Sequence, residues 1–432
     1  MPSSMKNSRF YWIGDVPNDW DIVKLGYLCS LKGRIGWKGL RSDEFLEYGY
    51  AYLVTGQDFK YDTVNWLACY QIEKRRYDED PFIQLKNGDL LVTKDGTIGK
   101  IAKVYDLDKP ACLNSGIFVM RQITERFNQS YLYWQLKSTL LTDYNNYINA
   151  GASTIQHLYQ NVFERMPLLV PPIAQQIAIA DFLDTKCTEI DGLLEDLETE
   201  VKLLTEYKKS IIAETVTHGL NPNAKLVSTN LGWIDSIPKH WKLEKFRYKL
   251  KPRRVVGHSD KQVLSVYREF GVIPKDSRDD NHNRTSDDTS KYKYVRPNDF
   301  VINKMKAWQG SMGVSEYEGI VSPAYFIYEF SDDDYNPRYF HYYMRNSNNI
   351  PEYRRLSGGI REGQWDLSPY DLGNMPIVVP PKSEQNEIVN YLDKKCKHLD
   401  TSIEGKLQQI DKLKEYKASL IYEYVTGKKQ VI

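Results

Sequence analysis

The alternation of hydrophobic and polar positions divides the chain into two segments of one kind, each followed by a segment of another kind. In residues 10–170 and 231–380, short runs of Val, Ile, Leu, Phe and Tyr are separated by Gly, Asp and Asn. This pattern is typical of buried strands joined by turns. One short helix is predicted in each segment, at 129–142 and 337–346. The expected fold class is therefore α+β, with a β-rich core in each segment. The clearest predicted strands are Leu90–Val92, Gly116–Val119, Phe300–Ile302 and Tyr325–Tyr328.

Behind each globular segment the period of the apolar residues becomes helical. Pairs of prolines at 171–172 and 380–381 end the two segments, and apolar residues then recur every seven positions, which predicts coiled-coil helices. A single such helix cannot bury its apolar stripe, so we expect the two helices to pair with each other as an antiparallel coiled coil. Packing of each helix in trans, within an oligomer, is the alternative. The predicted coiled-coil core positions are Leu183, Ile190, Leu197, Leu204, Ile211, Leu392, Leu399, Leu413 and Leu420.

The two halves of the chain are copies of one layout, a pseudo-two-fold internal repeat. The first shared motif is W-I-x-x-[VI]-P-x-x-W, and the last is M-P-[LI]-x-V-P-P. The helices that follow align without gaps, whereas the offset drifts within the globular segments. The helices therefore share a constraint that the globular segments do not. The shared motifs are residues 12–20 with 233–241, 88–94 with 298–304, and 166–172 with 375–381.

The charge distribution adds a basic excess outside the two helices. The chain has a net charge of +1, while residues 175–217 carry ten acidic and four basic residues and residues 384–426 carry eight acidic and seven basic ones. The two helices thus have a net charge of −7, and the rest of the chain has a net charge of +8. A DNA-contacting surface is expected in that basic remainder. No apolar stretch is long enough for a membrane span, and the N-terminal residues lack the apolar core of a secretory signal. Five scattered cysteines without a C-x-x-C indicate a reducing compartment, which we expect to be the cytoplasm.

Motifs for catalysis are missing from the sequence. There is no Walker-type phosphate loop, no G-x-G-x-x-G behind a strand, no H-E-x-x-H, and no histidine spacing typical of metal ligands. Asp393-Lys394-Lys395 resembles half of a nuclease D-x-K site. It lies in the second predicted coiled-coil helix, however, and is interpreted as part of a solvated helix face. We therefore expect neither catalytic nor metal-binding residues in this chain, and binding of DNA at two separate places.

With these motifs in this order, the chain resembles the specificity subunits of type I restriction–modification systems, over nearly its whole length. The helix starts Gln175-Gln176 and Glu384-Gln385 and the Tyr-Lys-x-Ser sequences at 207–210 and 416–419 add to the resemblance. It implies two target-recognition domains, each of which reads one half of a bipartite, asymmetric DNA target. It also implies that the helices set the distance between the half-sites. The implied divisions are recognition domains at 1–172 and 220–381 and spacer helices at 173–219 and 382–427.

The resemblance also implies the partners and the division of labour. The helices would dock two modification (methyltransferase) subunits, and restriction subunits would join to translocate and cleave double-stranded DNA. Those partners, and not this chain, would use S-adenosylmethionine, ATP and Mg²⁺. No cofactor is therefore expected in this chain.

Two polar loops in each globular segment are the candidate DNA contacts, because base edges and phosphates are contacted by Arg, Lys, Asn, Gln, Ser and Thr. Plain β-turns with solvated lysines, or loops that cap a following strand, are the alternatives. The basic pairs Arg253-Arg254 and Arg354-Arg355 also suit phosphates. The candidates in the first segment are Lys94, Thr97, Lys100, Ser153, Thr154 and Gln156. The candidates in the second segment are Lys304, Lys306, Trp308, Gln309, Arg361 and Gln364.

Two other classes of protein remain open at this point. A coiled-coil scaffold for protein–protein contacts would show no salt-dependent DNA binding. A nuclease with an unfamiliar site would show metal-dependent cleavage by the isolated chain. The sequence does not identify the target bases, because readout depends on where each side chain is placed.

Overall fold

A computed structural model describes residues 4–34, 39–149, 157–278, 285–286, 288–359 and 365–431. The chain forms two compact units. The first consists of Met1–Asp196 with Gln408–Ile432, and the second of Leu197–Leu407. Among the described helices, none is both long and apolar enough to cross a membrane. All five cysteines are buried and unpaired.

The first unit is α+β, with its strands before the first long helix. Its larger sheet has six strands and its smaller sheet has three. The helices that begin in this unit are Lys74–Asp78, Gln129–Lys137, Thr139–Ile148, Gln160–Phe163 and the long helix Ile173–His218. The strands are Met5–Asn7, Asp15–Pro17, Asp21–Lys24, Cys29–Lys32, Ala51–Val54, Phe59–Lys60, Thr63–Val64, Tyr70–Ile72, Leu90–Thr93, Ile101–Lys103, Ala111–Leu113, Ile117–Gln122 and Pro167–Val170.

The second unit repeats the plan with a smaller central sheet of four strands. Its helices are Phe246–Lys249, Pro337–Met344, Ile350–Arg355, Pro369–Asn374 and the long helix Lys382–Val425. The strands are Leu226–Leu231, Ile234–Pro238, Lys242–Lys245, Leu250–Pro252, Leu264–Tyr267, Gly271–Pro274, Lys293–Val295, Phe300–Asn303, Met312–Val314, Gly319–Val321, Tyr325–Phe330, Ser357–Gly358, Asp366–Leu367 and Pro376–Val379.

The two units share a four-stranded antiparallel arrangement. In the first unit the strands lie in the order 29–32, 117–122, 90–93 and 101–103. In the second unit the same order is formed by the strands 250–252, 325–330, 300–303 and 312–314. The expected strands are thus present, and the central one in each unit is buried over three or more residues. The α+β class and the internal repeat are confirmed.

The shared motifs repeat because they build the frame that closes each unit. The strand behind Trp20 (21–24) pairs with 167–170, and the strand behind Trp241 (242–245) pairs with 376–379. Each tryptophan is at most 5% exposed. Its indole nitrogen donates to the start of the long helix that follows, from Trp20 to Gln175 Oε1 (3.0 Å) and from Trp241 to Glu384 Oε2 (2.9 Å).

A glutamine at the start of each long helix ties the helix to its globular part. Gln176 accepts the backbone N–H of Asn128 (2.8 Å) and donates to the carbonyl of Pro171 (2.7 Å). Gln385 accepts the N–H of Asn336 (2.6 Å) and donates to the carbonyl of Pro380 (2.8 Å). Both side chains are fully buried. They are the physical reason why the Gln-Gln and Glu-Gln helix starts recur.

The long helices pack together and run antiparallel within each unit. In the first unit Lys417 bonds Asp191 (2.6 Å), and in the second unit Lys208 bonds Asp400 (2.6 Å), at equivalent positions of the repeat. The expected pairing within one chain is therefore what the structure has. Of the predicted core positions, Leu197, Leu204 and Leu413 are half-buried. The buried ones are Leu183, Ile190, Ile211, Leu392, Leu399 and Leu420.

One sequence expectation is corrected by a local hydrogen bond. The helix expected at 129–142 is two helices, because Ser138 ends the first and its hydroxyl accepts the N–H of Leu140 (3.3 Å), which caps the second. The side chain of Asp393 is 43% exposed, and it accepts hydrogen bonds from Tyr342 (2.6 Å) and Arg338 (3.1 Å).

Candidate nucleic-acid interface

The first candidate loop of the first unit is a compact turn between the strands Leu90–Thr93 and Ile101–Lys103. The hydroxyl of Thr93 donates to the carbonyl of Thr97 (2.6 Å) and accepts the N–H of Lys100 (2.9 Å). Gly99 has a φ of +82°, a conformation that favours glycine. The side chains of Thr97, within the turn, and Lys100, at its base, are exposed. They are therefore free to contact a ligand.

The corresponding loop of the second unit contains one short 3-10 turn. Lys306 is exposed and Gln309 is half-buried. Trp308 departs from the expectation, since it is only 8% exposed and its ring lies 5.6 Å from that of Trp365. Burial leaves Trp308 little surface for DNA, so its place in the loop is explained by packing. A tryptophan in a polar stretch gave no sign of this in the sequence.

In each unit the first candidate loop is bonded to the segment that leads into the closing strand. The N–H of Leu158 donates to the carbonyl of Lys94 (3.0 Å), and the N–H of Leu367 donates to the carbonyl of Lys304 (3.3 Å). These residues occupy equivalent positions of the repeat. Segments about 60 residues apart along the chain therefore meet in the same way twice.

An ion pair or a charged hydrogen bond accompanies each backbone contact, with opposite polarity in the two units. Asp95 on the first loop lies 2.7 Å from His157 Nδ1 on the later segment. In the second unit Lys304 on the first loop lies 2.8 Å from Asp366 on the later segment. We call these two sets of contacts, Lys94–Asp95 with His157–Leu158 and Lys304 with Asp366–Leu367, the loop clasps.

Five of the predicted contact residues lie outside the described residues. The others stay predictions, with Lys94, Thr97, Lys100, Lys304, Lys306 and Gln309 at or beside the clasps. The residues outside the description are Ser153, Thr154, Gln156, Arg361 and Gln364.

Further polar side chains beside the first clasp were missed from the sequence. Gln57 is exposed. The neighbouring Gly56 lies so close to Thr93 that a Cβ added to Gly56 would be 2.9 Å from the Thr93 methyl group. Asn114 follows the strand that pairs in parallel with Ala51–Val54, and its N–H donates to Val54 (2.9 Å). A parallel crossover brings these loops together, so no local sequence signal marks them.

Beside the second clasp lie cations that the sequence only partly indicated. Lys293 donates to the carbonyl of Tyr325 (2.5 Å), at the start of the strand that pairs with Asn303. Burial lowers the pKa of the Lys293 ammonium, and the positive charges of Arg254 and Lys304 lower it further. Arg254 belongs to a basic pair noted in the sequence, but its neighbour Arg253 is not at this surface.

Arg253 is used inside the second unit. Its guanidinium bonds the carboxylate of Asp299 (2.8 Å), and both side chains are less than 10% exposed. Burial raises the pKa of Asp299, and this is opposed by the N–H of Arg296 and by the charge of Arg253. The first unit has the same device in Asp89 and Arg121 (2.6 Å). These pairs are structural.

No group of three or more His, Cys, Asp or Glu side chains among the described residues is arranged to hold a metal ion. The candidate interface therefore consists of turns, hydrogen-bonding side chains and cations, an arrangement that suits binding to base edges and phosphates.

Comparison with known proteins places this geometry in a family context. Residues 17–203 match the family model of the type I restriction modification DNA specificity domain. The putative type I restriction enzyme MjaX specificity subunit of Methanocaldococcus jannaschii is 21% identical, over 97% of this chain and 96% of that relative. The type I restriction enzyme EcoBI specificity subunit of Escherichia coli is 24% identical, over 72% of this chain and 68% of that relative.

Solved structures share the fold. A chain from a structural study of complex assembly and conformational transition in a type I R-M system matches with a TM-score of 0.70 at 16% identity, over 96% of this chain and 99% of that one. The HsdS subunit from Thermoanaerobacter tengcongensis matches with a TM-score of 0.52 at 16% identity, over 96% of this chain and 98% of that one.

Proposed function

Since the chain belongs to the family of type I restriction–modification specificity subunits, we propose that each of its units binds one half of a bipartite DNA target through the surface around its loop clasp. The chain is the DNA-recognition component of such a complex, not an enzyme. Neither the protein–protein scaffold nor the nuclease interpretation is favoured.

The observation that carries this proposal is a contact made in both units between the first candidate loop and the segment that follows the second one. Equivalent backbone bonds, from Leu158 to Lys94 and from Leu367 to Lys304, hold that segment against the first loop. The side chains around these equivalent bonds differ, with Asp95 and His157 in one unit and Lys304 and Asp366 in the other. A shared scaffold with different side chains is what two readers of unlike half-sites need.

The partners of the chain include DNA and the other subunits of a restriction–modification complex. In the proposed complex, two modification subunits dock on the long helices and use S-adenosylmethionine, and restriction subunits use ATP and Mg²⁺. In this proposal the chain itself uses none of these cofactors. The complex is expected to work in the cytoplasm, where its five buried thiols stay reduced.

The long helices are proposed to set the half-site spacing. One heptad is about 10 Å of helix, or about three base pairs. Deleting one heptad from each helix at aligned positions should therefore change the preferred spacing and leave both half-site sequences as they were. Unchanged spacing in a binding-site selection would contradict this assignment.

The test of the proposed function is a selection from randomised duplex DNA by the full chain, purified with its modification subunits, at several salt concentrations. We expect two unlike half-sites at a fixed spacing, with affinity that falls as salt rises. A protein scaffold would select no sequence and show no salt-dependent binding. Metal-dependent cleavage by the chain alone would instead show a nuclease.

A further inference from the structure

Three cations of the second unit lie on adjacent segments at one end of its central sheet. The N–H of Tyr294 donates to the carbonyl of Val255 (2.8 Å), which places Lys293 beside Arg254. Lys304 follows the central strand, whose last residue pairs with Tyr325, and the Lys293 ammonium bonds the Tyr325 carbonyl. We call Arg254, Lys293 and Lys304 the basic cluster.

Two members of the cluster have no carboxylate partner within the part of the chain that the structure describes. Lys304 is paired with Asp366. Among the described residues, no acidic side chain forms an ion pair with Arg254 or Lys293. Arg254 is exposed and Lys293 is half-buried. Burial lowers the pKa of the Lys293 ammonium, and the positive charges of Arg254 and Lys304 lower it further.

Strand register identifies what the first unit has at these positions. Phe118 pairs with Val92, and Phe326 pairs with Ile302, at equivalent places of the repeat. On the neighbouring edge strand Pro252 pairs with Tyr328, and the same register places Arg254 opposite Phe326.

On the edge strand of the first unit Lys32 pairs with Val119, and the same register places Gly33 opposite Phe118. A side chain there has no room, since an added Cβ would lie 2.9 Å from the Phe118 ring. In both units a lysine ammonium group lies over the phenylalanine ring. Lys94 Nζ lies 4.9 Å from the Phe118 centroid, and Lys293 Nζ lies 5.9 Å from the Phe326 centroid.

The two surfaces therefore differ in charge. The described residues at the first clasp surface include Lys94, Lys100 and the acidic Asp95, a sum of +1. Those at the second include the three cations of the basic cluster, Lys306 and the acidic Asp366, a sum of +3. At the position of Asp95 the second unit has the uncharged Met305, which is 46% exposed.

We propose that the basic cluster binds backbone phosphates of the DNA, and that the second unit thereby supplies the larger, salt-dependent share of the affinity while the first unit binds mainly through uncharged hydrogen-bonding groups. The proposal rests on the proposed function. It adds an unequal division of labour between two units that share one scaffold.

The experiment measures the affinity of the full chain, purified with its modification subunits, for the selected duplex over a range of KCl concentrations. Each lost phosphate contact lowers the slope of log K against log [salt] by about one. Replacing Arg254→Gln and Lys293→Gln together should therefore lower the slope by about two. The selected bases of both half-sites should stay the same.

Two matched variants serve as controls. Lys242→Gln removes an exposed cation of the second unit outside the cluster and should leave the slope unchanged. Lys94→Gln removes the ring-bound cation of the first unit and should lower the slope by at most about one.

The outcomes separate this proposal from the proposed function. An unchanged slope in the double variant, with or without altered base preference, overturns the phosphate assignment. An equal or larger loss of slope in Lys94→Gln overturns the unequal division. Failure of the unsubstituted complex to select a bipartite sequence would instead contradict the proposed function.

Discussion

Single buried side chains explain why particular residues recur in the two halves. Gln176 and Gln385 were recognisable from the sequence as part of a repeated helix start, but not as buried ties to two separate stretches of backbone. Their partners lie five to about 50 residues away, and such contacts leave no local pattern. Trp308 shows the converse, because a residue type suited to DNA contact is used for packing.

Replacing Gln385→Leu should destabilise the second unit. The change leaves the N–H of Asn336 and the carbonyl of Pro380 buried without these partners, and each unsatisfied group costs about 1–3 kcal/mol. Denaturant unfolding of the full chain measures the loss. The matched control is Gln408→Leu, at an exposed helix position. Equal stability of the two variants would contradict this role.

At the scale of elements, four buried strands and both long helices were predictable, because the strands are continuous apolar runs and the helices keep a regular seven-residue period. The central strands at 90–93 and 300–303 and the seven-residue repeats were found this way. The break at Ser138 was not, since one serine in an apolar run is compatible with a continuous helix. The extra strands 59–60 and 63–64, which extend the sheet of the first unit, depend on long-range pairing that a single sequence does not display.

The helix pair offers a comparison between two leucines of the second unit. Leu392 is fully buried, whereas Leu407 is 47% exposed despite its place beside the heptad series. Leu392→Ala should cost about 2–5 kcal/mol through lost burial and the cavity that it leaves. Leu407→Ala should change the free energy of unfolding by about 0.5 kcal/mol or less. Denaturant midpoints of the two variants decide the matter, and a similar loss in both would show that the burial is wrongly assigned.

At the scale of the whole molecule, the layout of two copies followed from the sequence, whereas the contact of each first candidate loop with a segment about 60 residues away did not. Sequence reasoning selected the loops at 93–100 and 303–311 because they are polar and follow predicted strands. Only the fold shows that each is bonded to the segment that follows the second candidate loop, through Leu158 and Leu367. Side chains such as Asn114 join them because a parallel strand pair brings their loop there.

The central claim is that each unit recognises one half-site through its own clasp surface. The most direct measurement is a DNA selection by the full complex with two matched double variants, Thr97→Ala with Lys100→Ala, and Lys306→Ala with Gln309→Ala. Each should relax the choice of bases in one half-site only, a different one for each variant, by about 1–3 kcal/mol for each lost base contact. Relaxation of both half-sites by one variant, or of the same half-site by both variants, would contradict the account.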